Sequence, residues 1–498
     1  MTKNQTHTGP SLAREMGLLG LVATGICSMI GAGVNVIPFM IQRNVPGIGP
    51  NVITSYAIAA VPALLAALAY AILASAMPRA GGSYLYASRA LNPFLGFIAS
   101  FSQWFGLSIA MGVVAYLLVP FLRDIAIGLG LPSLAESLET APVRLAISLC
   151  VIWIFTLVNV LGIKTYERVL IVLMFVMFLG GAIAIPAGFM FNHSDFAAGL
   201  AQKSGEILAA APAAPVNINI ILAASAVLFS SFIGFDSISQ AGGEAKNPNK
   251  TLPLSIGIAV VLVGSYYMLF TGAIYHAVPW HYIAERGTST DLTAPGLLGY
   301  LLAPGLTVAI VAGAAIALAN SLPGMILAVS RLMFAWAEDG VFPRAVSSIN
   351  RKWRTPHVAI IISSITASIG ILGCHFAGDF FLGVDILVTS MLINFLLMCL
   401  SVLTIPRHNP ALAREIRFGK NRRLQIIISL PGAVILGALL IIQILKDLRS
   451  PTPAWYFHST YAYIIVTVLA AMIFIFKWRQ NKNRGVDMEE LFSVLPPE

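Results

Sequence analysis

Charged residues are scarce in this chain: of its 498 residues, only 10% are Asp, Glu, Lys or Arg, compared with about 25% in soluble domains. Hydrophobic residues make up 58%. A soluble protein of this length could not cover its surface with so few charges. This excludes a cytosolic enzyme, a nucleic-acid-binding protein and a disordered scaffold. The composition therefore predicts a polytopic membrane protein without a nucleic-acid partner.

Cysteine is also rare, and the four cysteines lack the spacing of a disulfide framework or a metal site. Cys27, Cys150, Cys374 and Cys399 lie in or beside apolar stretches, where thiols usually act as small hydrophobic groups. The eight histidines fall at span ends or in loops, without a metal-binding spacing. These patterns predict no metal, no cofactor and no catalytic constellation, so the protein is not expected to be an enzyme.

Long apolar runs dominate the chain, and about 20 such residues cross the hydrocarbon core of a bilayer. They predict an all-α integral membrane protein with twelve transmembrane helices in a single domain, 1–498. The predicted spans are residues 17–42, 51–76, 94–121, 144–162, 168–190, 217–242, 253–278, 301–335, 357–374, 380–404, 424–445 and 460–477.

The distribution of Lys and Arg indicates the orientation of these spans. With a cytoplasmic N-terminus, 23 of the 30 basic residues fall on the cytoplasmic side and seven on the outer side. Cytoplasmic loops of membrane proteins carry such an excess. Because the number of spans is even, both termini are predicted to be cytoplasmic. The asymmetry also accounts for the net charge of +9.

Two glycine-containing stretches share a short pattern in the first and the sixth predicted spans, Ser28-Met-Ile-Gly31 and Ser231-Phe-Ile-Gly234. Glycine tolerates non-helical backbone, and at membrane depth such backbone occurs only where it lines a cavity or is buried in protein. Paired interruptions in two inverted halves predict a transporter binding site. The alternative is that these glycines serve close packing between helices.

The two interruptions would expose backbone groups of opposite polarity. The helical segment that begins near Gly33 would present free N–H groups, which favour a carboxylate. The outer half of the sixth span would end near Ser230 to Ile233 with free carbonyl groups, which favour an ammonium group. A zwitterionic amino acid satisfies both ends at once, and pockets on neighbouring spans would select its side chain.

Several linked motifs in this sequence resemble those of the amino acid–polyamine–organocation (APC) permeases. They are Gly31-Ala-Gly33, Met77-Pro-Arg-Ala-Gly-Gly-Ser-Tyr84, Ile233-Gly-Phe-Asp236 followed by Lys246-Asn-Pro248, and Arg331 with Asp339-Gly340, Pro343 and Thr355-Pro356. The likeness extends from about residue 17 to residue 407. Each motif alone has little specificity, whereas their order and spacing together are characteristic.

The resemblance implies a LeuT/APC-like fold of five-plus-five inverted repeats with two extra C-terminal helices. The first repeat would be 17–190, the second, inverted repeat 217–404, and the last two helices 424–477. Cytoplasmic tails would lie at 1–16 and 478–498. The resemblance also implies a secondary active transporter that works by alternating access around a central amino-acid site.

The predicted substrate-binding residues are Met29, Gly31, Ala32, Gly33, Gln103, Ser230, Ser231, Ile233 and Gly234. The predicted gating or coupling residues are Phe232, Phe235, Asp236, Asn320 and Ser321. By motif position, the backbone at Ala32 and Gly33 would hold the carboxylate, whereas carbonyl groups near Met29 and from 230 to 233 would hold the amine. Asn320 and Ser321 could coordinate sodium, although hydrogen bonding between helices is the plainer interpretation.

Asp236 is the deepest acid in the predicted spans, and an ionisable group at such depth is a functional candidate by default. It could sense pH or contact a substrate amine. The alternative, which the physics of helix ends favours, is that its carboxylate caps the inner half of the sixth span. Asp385 lies near the outer end of the tenth span, where a water-facing carboxylate is the simpler interpretation.

Departures from the family pattern narrow the expected substrate and coupling. The third span contains no acid that could pair with a cationic side chain, which favours a neutral or apolar substrate. The fifth span lacks a lysine that some proton-coupled relatives carry, and Met177 lies at about the position of that lysine. Ser230 stands where many relatives have a bulky aromatic gate, so the pocket is expected to be roomier.

These observations together predict a transporter of neutral or apolar amino acids in the cell (inner) membrane, driven by proton symport or exchange. A cationic amino acid or polyamine transporter is one alternative, and a non-transporting nutrient receptor with a permease fold is another. The expected partners are the amino-acid substrate, the lipid bilayer and a proton or sodium ion. The protein is expected to be a monomer or a homodimer.

Overall fold

The computed structural model describes residues 11–210, 217–290, 292–377, 381–450, 455 and 458–496, and within these ranges it contains helices and no β-strand. The α-helices are α1 (Leu18–Met29), α2 (Ala32–Asn35), α3 (Ile37–Asn44), α4 (Val52–Ala76), α5 (Gly82–Ala90), α6 (Pro93–Gly128), α7 (Pro132–Glu139), α8 (Ala141–Val160), α9 (Ile163–Met190), α10 (His193–Ser204), α11 (Ile218–Leu228), α12 (Asp236–Gln240), α13 (Pro248–Ala277), α14 (Trp280–Gly287), α15 (Ala294–Leu298), α16 (Pro304–Glu338), α17 (His357–Ala377), α18 (Phe381–His408), α19 (Pro410–Arg414), α20 (Arg422–Arg449), α21 (Ser459–Asn483) and α22 (Met488–Ser493).

Eleven helical segments in the described ranges are long and apolar enough to cross a membrane. They coincide with the predicted spans from the second to the twelfth, which confirms an all-helical, multi-pass membrane architecture. The first predicted span, 17–42, is not one helix: the chain forms the shorter helices α1, α2 and α3 there. Of the predicted N-terminal tail, residues 1–10 lie outside the described part of the chain.

Helix α16 packs against α1, α6, α8, α9 and α17, and its side chains from Asn320 to Ala337 are all buried. Helix α13 packs against α1, α4 and α9. The interrupted first segment is therefore held between long helices on several sides. Surfaces of α9, α20 and α21 instead expose large apolar side chains, such as Leu179, Val434 and Phe476 at 64–65%, as expected of faces that contact lipid.

Two buried ion pairs connect α16 to its neighbours on the predicted cytoplasmic side. Arg331 of α16 donates two hydrogen bonds to the Glu244 carboxylate, one of them over 3.1 Å from Nε. Arg89 of α5 forms a bidentate ion pair with Asp339, which directly follows α16. One of its two hydrogen bonds, from Nη2 to Oδ1, is 2.7 Å long. All four side chains are at most 2% exposed. Such pairs are strongly destabilising when one partner is removed.

The C-terminal helix α22 covers one of these ion pairs. The ring centroid of Phe492 lies 4.7 Å from the guanidinium carbon of Arg89, and the Val494 carbonyl accepts a 3.3 Å hydrogen bond from Arg89 Nε. On the other side, the Tyr84 hydroxyl donates to Asp339 over 2.7 Å. Burial, together with the neighbouring Asp339 carboxylate, raises the pKa of Tyr84 well above its usual value.

Candidate functional site

The interruption predicted in the first segment lies at Ile30 and Gly31. Helix α1 ends at Met29, Ile30 is extended with φ −82° and ψ 103°, and α2 begins at Ala32. A second irregularity at Val36, with φ −127° and ψ −56°, separates α2 from α3, which has Pro38 in its first turn. The first residues of such a new helix carry N–H groups without intrahelical partners.

The sixth segment is interrupted at the predicted place as well. Helix α11 ends at Leu228, a 3₁₀ turn covers Phe229–Phe232, and Ile233 is extended. Gly234 then has φ +135°, a conformation that essentially only glycine adopts. A Cβ atom at Gly234 would lie 2.6 Å from the Ser28 carbonyl carbon and 2.8 Å from the Met29 nitrogen. The backbones of the two interruptions therefore touch each other at this glycine.

Two tyrosines from flanking helices join the interruptions by hydrogen bonds. Tyr56 of α4 donates to the Gly33 carbonyl over 2.6 Å and lies 3.1 Å from Ser231 Oγ. The hydroxyl of Tyr267 in α13 lies 2.6 Å from the Met29 carbonyl oxygen and 2.8 Å from that of Ser231. Both tyrosines are fully buried. Each hydroxyl thus contacts both interrupted segments and fixes their relative position.

Replacing Tyr267 by Phe should lower the free energy of unfolding by about 1–3 kcal/mol, because the carbonyls of Met29 and Ser231 lose a buried donor. The measurement is thermal unfolding of the purified protein. Tyr266→Phe is the matched control, since this neighbouring ring packs edge-to-face on Phe178. Equal unfolding temperatures for the two variants would contradict the bracing role of Tyr267.

A cavity of about 130 Å³ opens where the interruptions meet. The predicted residues that line it are Met29, Gly31, Gly33, Ser230, Ser231, Ile233, Gly234, Asp236 and Ser321. Much of the remaining wall is apolar and comes from α6 and α16, for example Leu107, Val113 and Met325. Ala32 lies in α2, between two of these lining positions. The cavity thus combines irregular backbone with an apolar side-chain pocket.

Four predicted site residues lie outside the lining of this cavity. Phe232 packs edge-on against Tyr267, with 5.5 Å between ring centroids, and Phe235 stacks on Phe395 at 4.9 Å. Asn320 donates a 2.9 Å hydrogen bond to Cys27 Sγ, which agrees with the interpretation of helix-to-helix bonding. Gln103 reaches the site only through Asp236.

Asp236 is not an N-cap, contrary to the interpretation favoured from the sequence. It is the first residue of α12, after the N-cap residue Phe235, and the cap has no side-chain hydrogen bond. Its Oδ2 accepts a 2.7 Å hydrogen bond from Gln103 Nε2, and Gln103 in turn accepts a short bond from Ser83. Asp236 is 1% exposed and lines the cavity. This deep carboxylate therefore belongs to a polar chain from α5 through α6.

Five contributors to the cavity were not expected from the sequence. Tyr56 and Tyr267 brace its backbone, and their only sequence signal is a buried tyrosine in the helix after each interrupted segment. Asp385, Gln443 and Lys446 line its far end from α18 and α20. No group of three or more His, Cys, Asp or Glu that could hold a metal ion occurs among the described residues.

Comparison with known proteins places this architecture in a family. The sequence profile described as "Amino acid permease" matches residues 16–483, nearly the whole chain. The chain belongs to the amino acid permease family. This confirms the resemblance to APC permeases that the motifs carry. The family consists of transporters, not enzymes.

The relatives of this permease differ in the substrates that their names state. It is 30% identical over 378 residues to "Cationic amino acid transporter 4, vacuolar" of Arabidopsis thaliana, covering 73% of this chain and 59% of that protein. It is 27% identical over 359 residues to "Branched-chain amino acid permease BcaP" of Bacillus subtilis (strain 168), covering 70% and 72%. The matched region thus spans less than two thirds of the plant relative.

The location in the cell membrane and the cytoplasmic position of both termini stay predictions.

Proposed function

We propose that this permease is a secondary active transporter that moves neutral or apolar amino acids across the membrane by alternating access. The observation that carries the proposal is the meeting of the two interrupted segments in one cavity, at the contact between Gly234 and Ser28. N–H groups at the start of the new helix in one segment and carbonyls of the other would complement the carboxylate and ammonium groups of an amino acid. The apolar wall from α6 and α16 suits an uncharged side chain.

The same observation supports the proposed architecture. In this architecture the segment from α1 to α3 is the first of twelve spans, and each of the two five-helix inverted repeats, 17–190 and 217–404, begins with an interrupted segment. Helices α20 and α21 follow the repeats. Both termini are proposed to be cytoplasmic, in keeping with the excess of Lys and Arg on that side.

Within the proposed site, the carboxylate would bind near Gly31 and Gly33, and the ammonium group near Ser230 and Ile233. The single proton of the Tyr267 hydroxyl is already shared between the carbonyls of Met29 and Ser231. A carbonyl oxygen has two lone pairs, so an ammonium group could share these acceptors with the hydroxyl. Substrate binding would then add donors to an existing network rather than build a new one.

The test is counterflow in proteoliposomes that contain the purified permease. Vesicles loaded with unlabelled leucine, alanine or phenylalanine should accumulate the same labelled amino acid transiently. Uptake should depend on an imposed pH or sodium gradient if coupling is by symport. A protein that binds these amino acids without counterflow would instead be a receptor with the permease fold. Stronger competition by arginine than by leucine would favour the cationic alternative, which the plant relatives' names suggest.

For coupling, we propose Asp236 as the proton-sensitive group, because it is the deep carboxylate in the cavity wall. Asp236→Asn keeps an oxygen that can accept from Gln103 but cannot ionise, so the initial uptake rate should lose much of its dependence on pH. Rates across a pH series in proteoliposomes measure this. Glu136→Gln, at an exposed position in α7, is the control. Superimposable profiles for Asp236→Asn and the unmodified permease would rule out this role.

A further inference from the structure

The substrate cavity reaches toward the predicted outer side, whereas the predicted cytoplasmic side is closely packed. The cavity lining extends to Asn44, the last residue of α3, and to Lys446 near the end of α20. On the opposite side, a Cβ atom at Gly81, directly before α5, would overlap the Cβ atom of Ala335 in α16. Opening the inner side between α5 and α16 would therefore have to break this contact.

The C-terminal part of the chain, residues 478–494, binds to α5 on the same side, and we call it the C-terminal clamp. The ring centroid of Phe492 lies 4.7 Å from the guanidinium carbon of Arg89 in α5. The carbonyl of Val494 accepts a 3.3 Å hydrogen bond from Arg89 Nε. Phe492 is only 5% exposed. The clamp thus holds α5 through a buried cation.

The C-terminal clamp also binds to the end of α16. Asn481 donates a 3.0 Å hydrogen bond from Nδ2 to the carbonyl of Gly340, which directly follows Asp339, the anion that pairs with the cation of α5. Trp478 stacks on Phe492, with 5.8 Å between the ring centroids. The contacts with α16 and with α5 therefore belong to one packed unit, which spans the ion pair between the two helices.

Covering this ion pair makes it harder to separate. The side chain of Arg89 is 0% exposed and that of Asp339 is 2% exposed. Opposite charges attract strongly when water is excluded, and parting them would leave each buried without its partner. If the clamp detached, water could hydrate both groups while α5 and α16 move apart. The clamp therefore favours the state in which the inner side is closed.

We propose that the C-terminal clamp is an inhibitory segment that holds the inner side of the permease closed while the cavity faces outward. It has to detach from Arg89 before α5 and α16 separate. This inference rests on the proposed function, because it assigns one step of alternating access to this segment. The occupant of the docking surface on α5 is thus a part of the same chain, and its release speeds inward opening.

The decisive variant is Phe492→Ala in the full-length permease. The reporter is Ser239→Cys, a nearly isosteric change at a fully buried position in α12, which packs against α5. The exposed Cys150 is replaced by Ser, and labelling of the same protein without the reporter is subtracted. With purified permease in nanodiscs, the initial rate of labelling by a polar maleimide should rise about tenfold, because the covered cation loses its aromatic contact.

Two variants calibrate this measurement. Val494→Ala is the matched control, since its side chain is 54% exposed and its backbone carbonyl still accepts from Arg89, so labelling should not change. Arg89→Met removes the ion pair itself and should raise labelling whether or not the clamp is bound. An unchanged rate in Phe492→Ala, an equal rise in Val494→Ala, or no response to Arg89→Met would each overturn the proposal.

A second experiment separates inhibition from simple stabilisation. Deletion of the chain after Gly485 should raise labelling as Phe492→Ala does, and a peptide of residues 486–496 added to the deleted form should lower it again. The same peptide with Phe492→Ala should have no effect. A lower unfolding temperature without faster labelling would show that the segment only stabilises the fold, which contradicts the proposal. If the shortened chain does not fold, the comparison of Phe492→Ala with Val494→Ala decides.

The labelling readout distinguishes failure of this inference from failure of the proposed function, because it requires neither substrate nor transport. If the permease shows leucine counterflow while Phe492→Ala is labelled like the unmodified protein, only the C-terminal clamp is overturned. If counterflow is absent while labelling rises in Phe492→Ala and falls with the peptide, the transport function is overturned and the clamp remains.

Discussion

Gly234→Ala should abolish amino acid uptake. The backbone at this position has φ +135°, which costs an L-residue about 1–2 kcal/mol or more. The added Cβ atom would also lie 2.6 Å from the backbone carbonyl carbon of Ser28. This backbone atom cannot move aside as the end of a flexible side chain could. Overpacking of this kind typically adds about 1–3 kcal/mol. The two interrupted segments would have to separate, so the site between them would lose its shape.

The expected measurements for Gly234→Ala are a loss of uptake of more than about tenfold and a fall of roughly 2–5 kcal/mol in the free energy of unfolding. Gly257→Ala is the matched control, because a Cβ atom there meets nothing within 4 Å in the middle of α13. It should be neutral or stabilise the helix by up to about 1 kcal/mol. Uptake and thermal stability at the original level in Gly234→Ala would refute the close contact between the segments.

Arg331→Met should destabilise the permease by about 3–5 kcal/mol, because it leaves the Glu244 carboxylate buried without its cation. Both side chains are 1% exposed, so water cannot replace the lost hydrogen bonds. Thermal unfolding of the purified protein measures the effect. The double variant Arg331→Met with Glu244→Gln should recover much of the loss, since it leaves no unpaired buried charge.

Arg123→Met provides the contrast for this prediction. Its guanidinium pairs with Asp124 and Glu139, but Arg123 is 34% exposed and Glu139 61%. Exposed pairs contribute about 0–1 kcal/mol, so the unfolding temperature should hardly change. If Arg331→Met behaved like Arg123→Met, or if the double variant were no more stable than the single one, the buried pair would not hold the predicted cytoplasmic side together.

The sequence predicted most of the fold because a bilayer imposes a simple rule. A continuous apolar run of about 20 residues must become a helix that satisfies its own backbone, and ten of the predicted spans each form one such helix. The first and the sixth spans did not, because the first is interrupted at Ile30 and Gly31 and the sixth between Leu228 and Asp236. The glycine pattern located both interruptions, which are local properties of the backbone.

The partners of the interruptions depend on tertiary structure that no local pattern encodes. Side-chain direction is defined by a regular helix, but Phe232 and Phe235 lie at or beside a 3₁₀ turn, an extended residue and a left-handed glycine. The directions of these two side chains could therefore not be predicted from their spacing in the sequence. The contact between Gln103 and Asp236 joins residues 133 positions apart. Lys446 belongs to a helix outside the two predicted repeats, so it carried no expectation of a role at the site.

The two buried ion pairs beside α16 have an electrical consequence. Arg331 and Asp339 belong to α16 and its end, whereas their partners Glu244 and Arg89 belong to the elements packed against it. Each side of this interface carries one cation and one anion. Moving one charge through 100 mV involves about 2.3 kcal/mol of work. If these surfaces separate, the cation and the anion on each surface cancel, so the four groups carry no net charge across the membrane. The membrane potential would therefore neither drive nor oppose the separation through these groups.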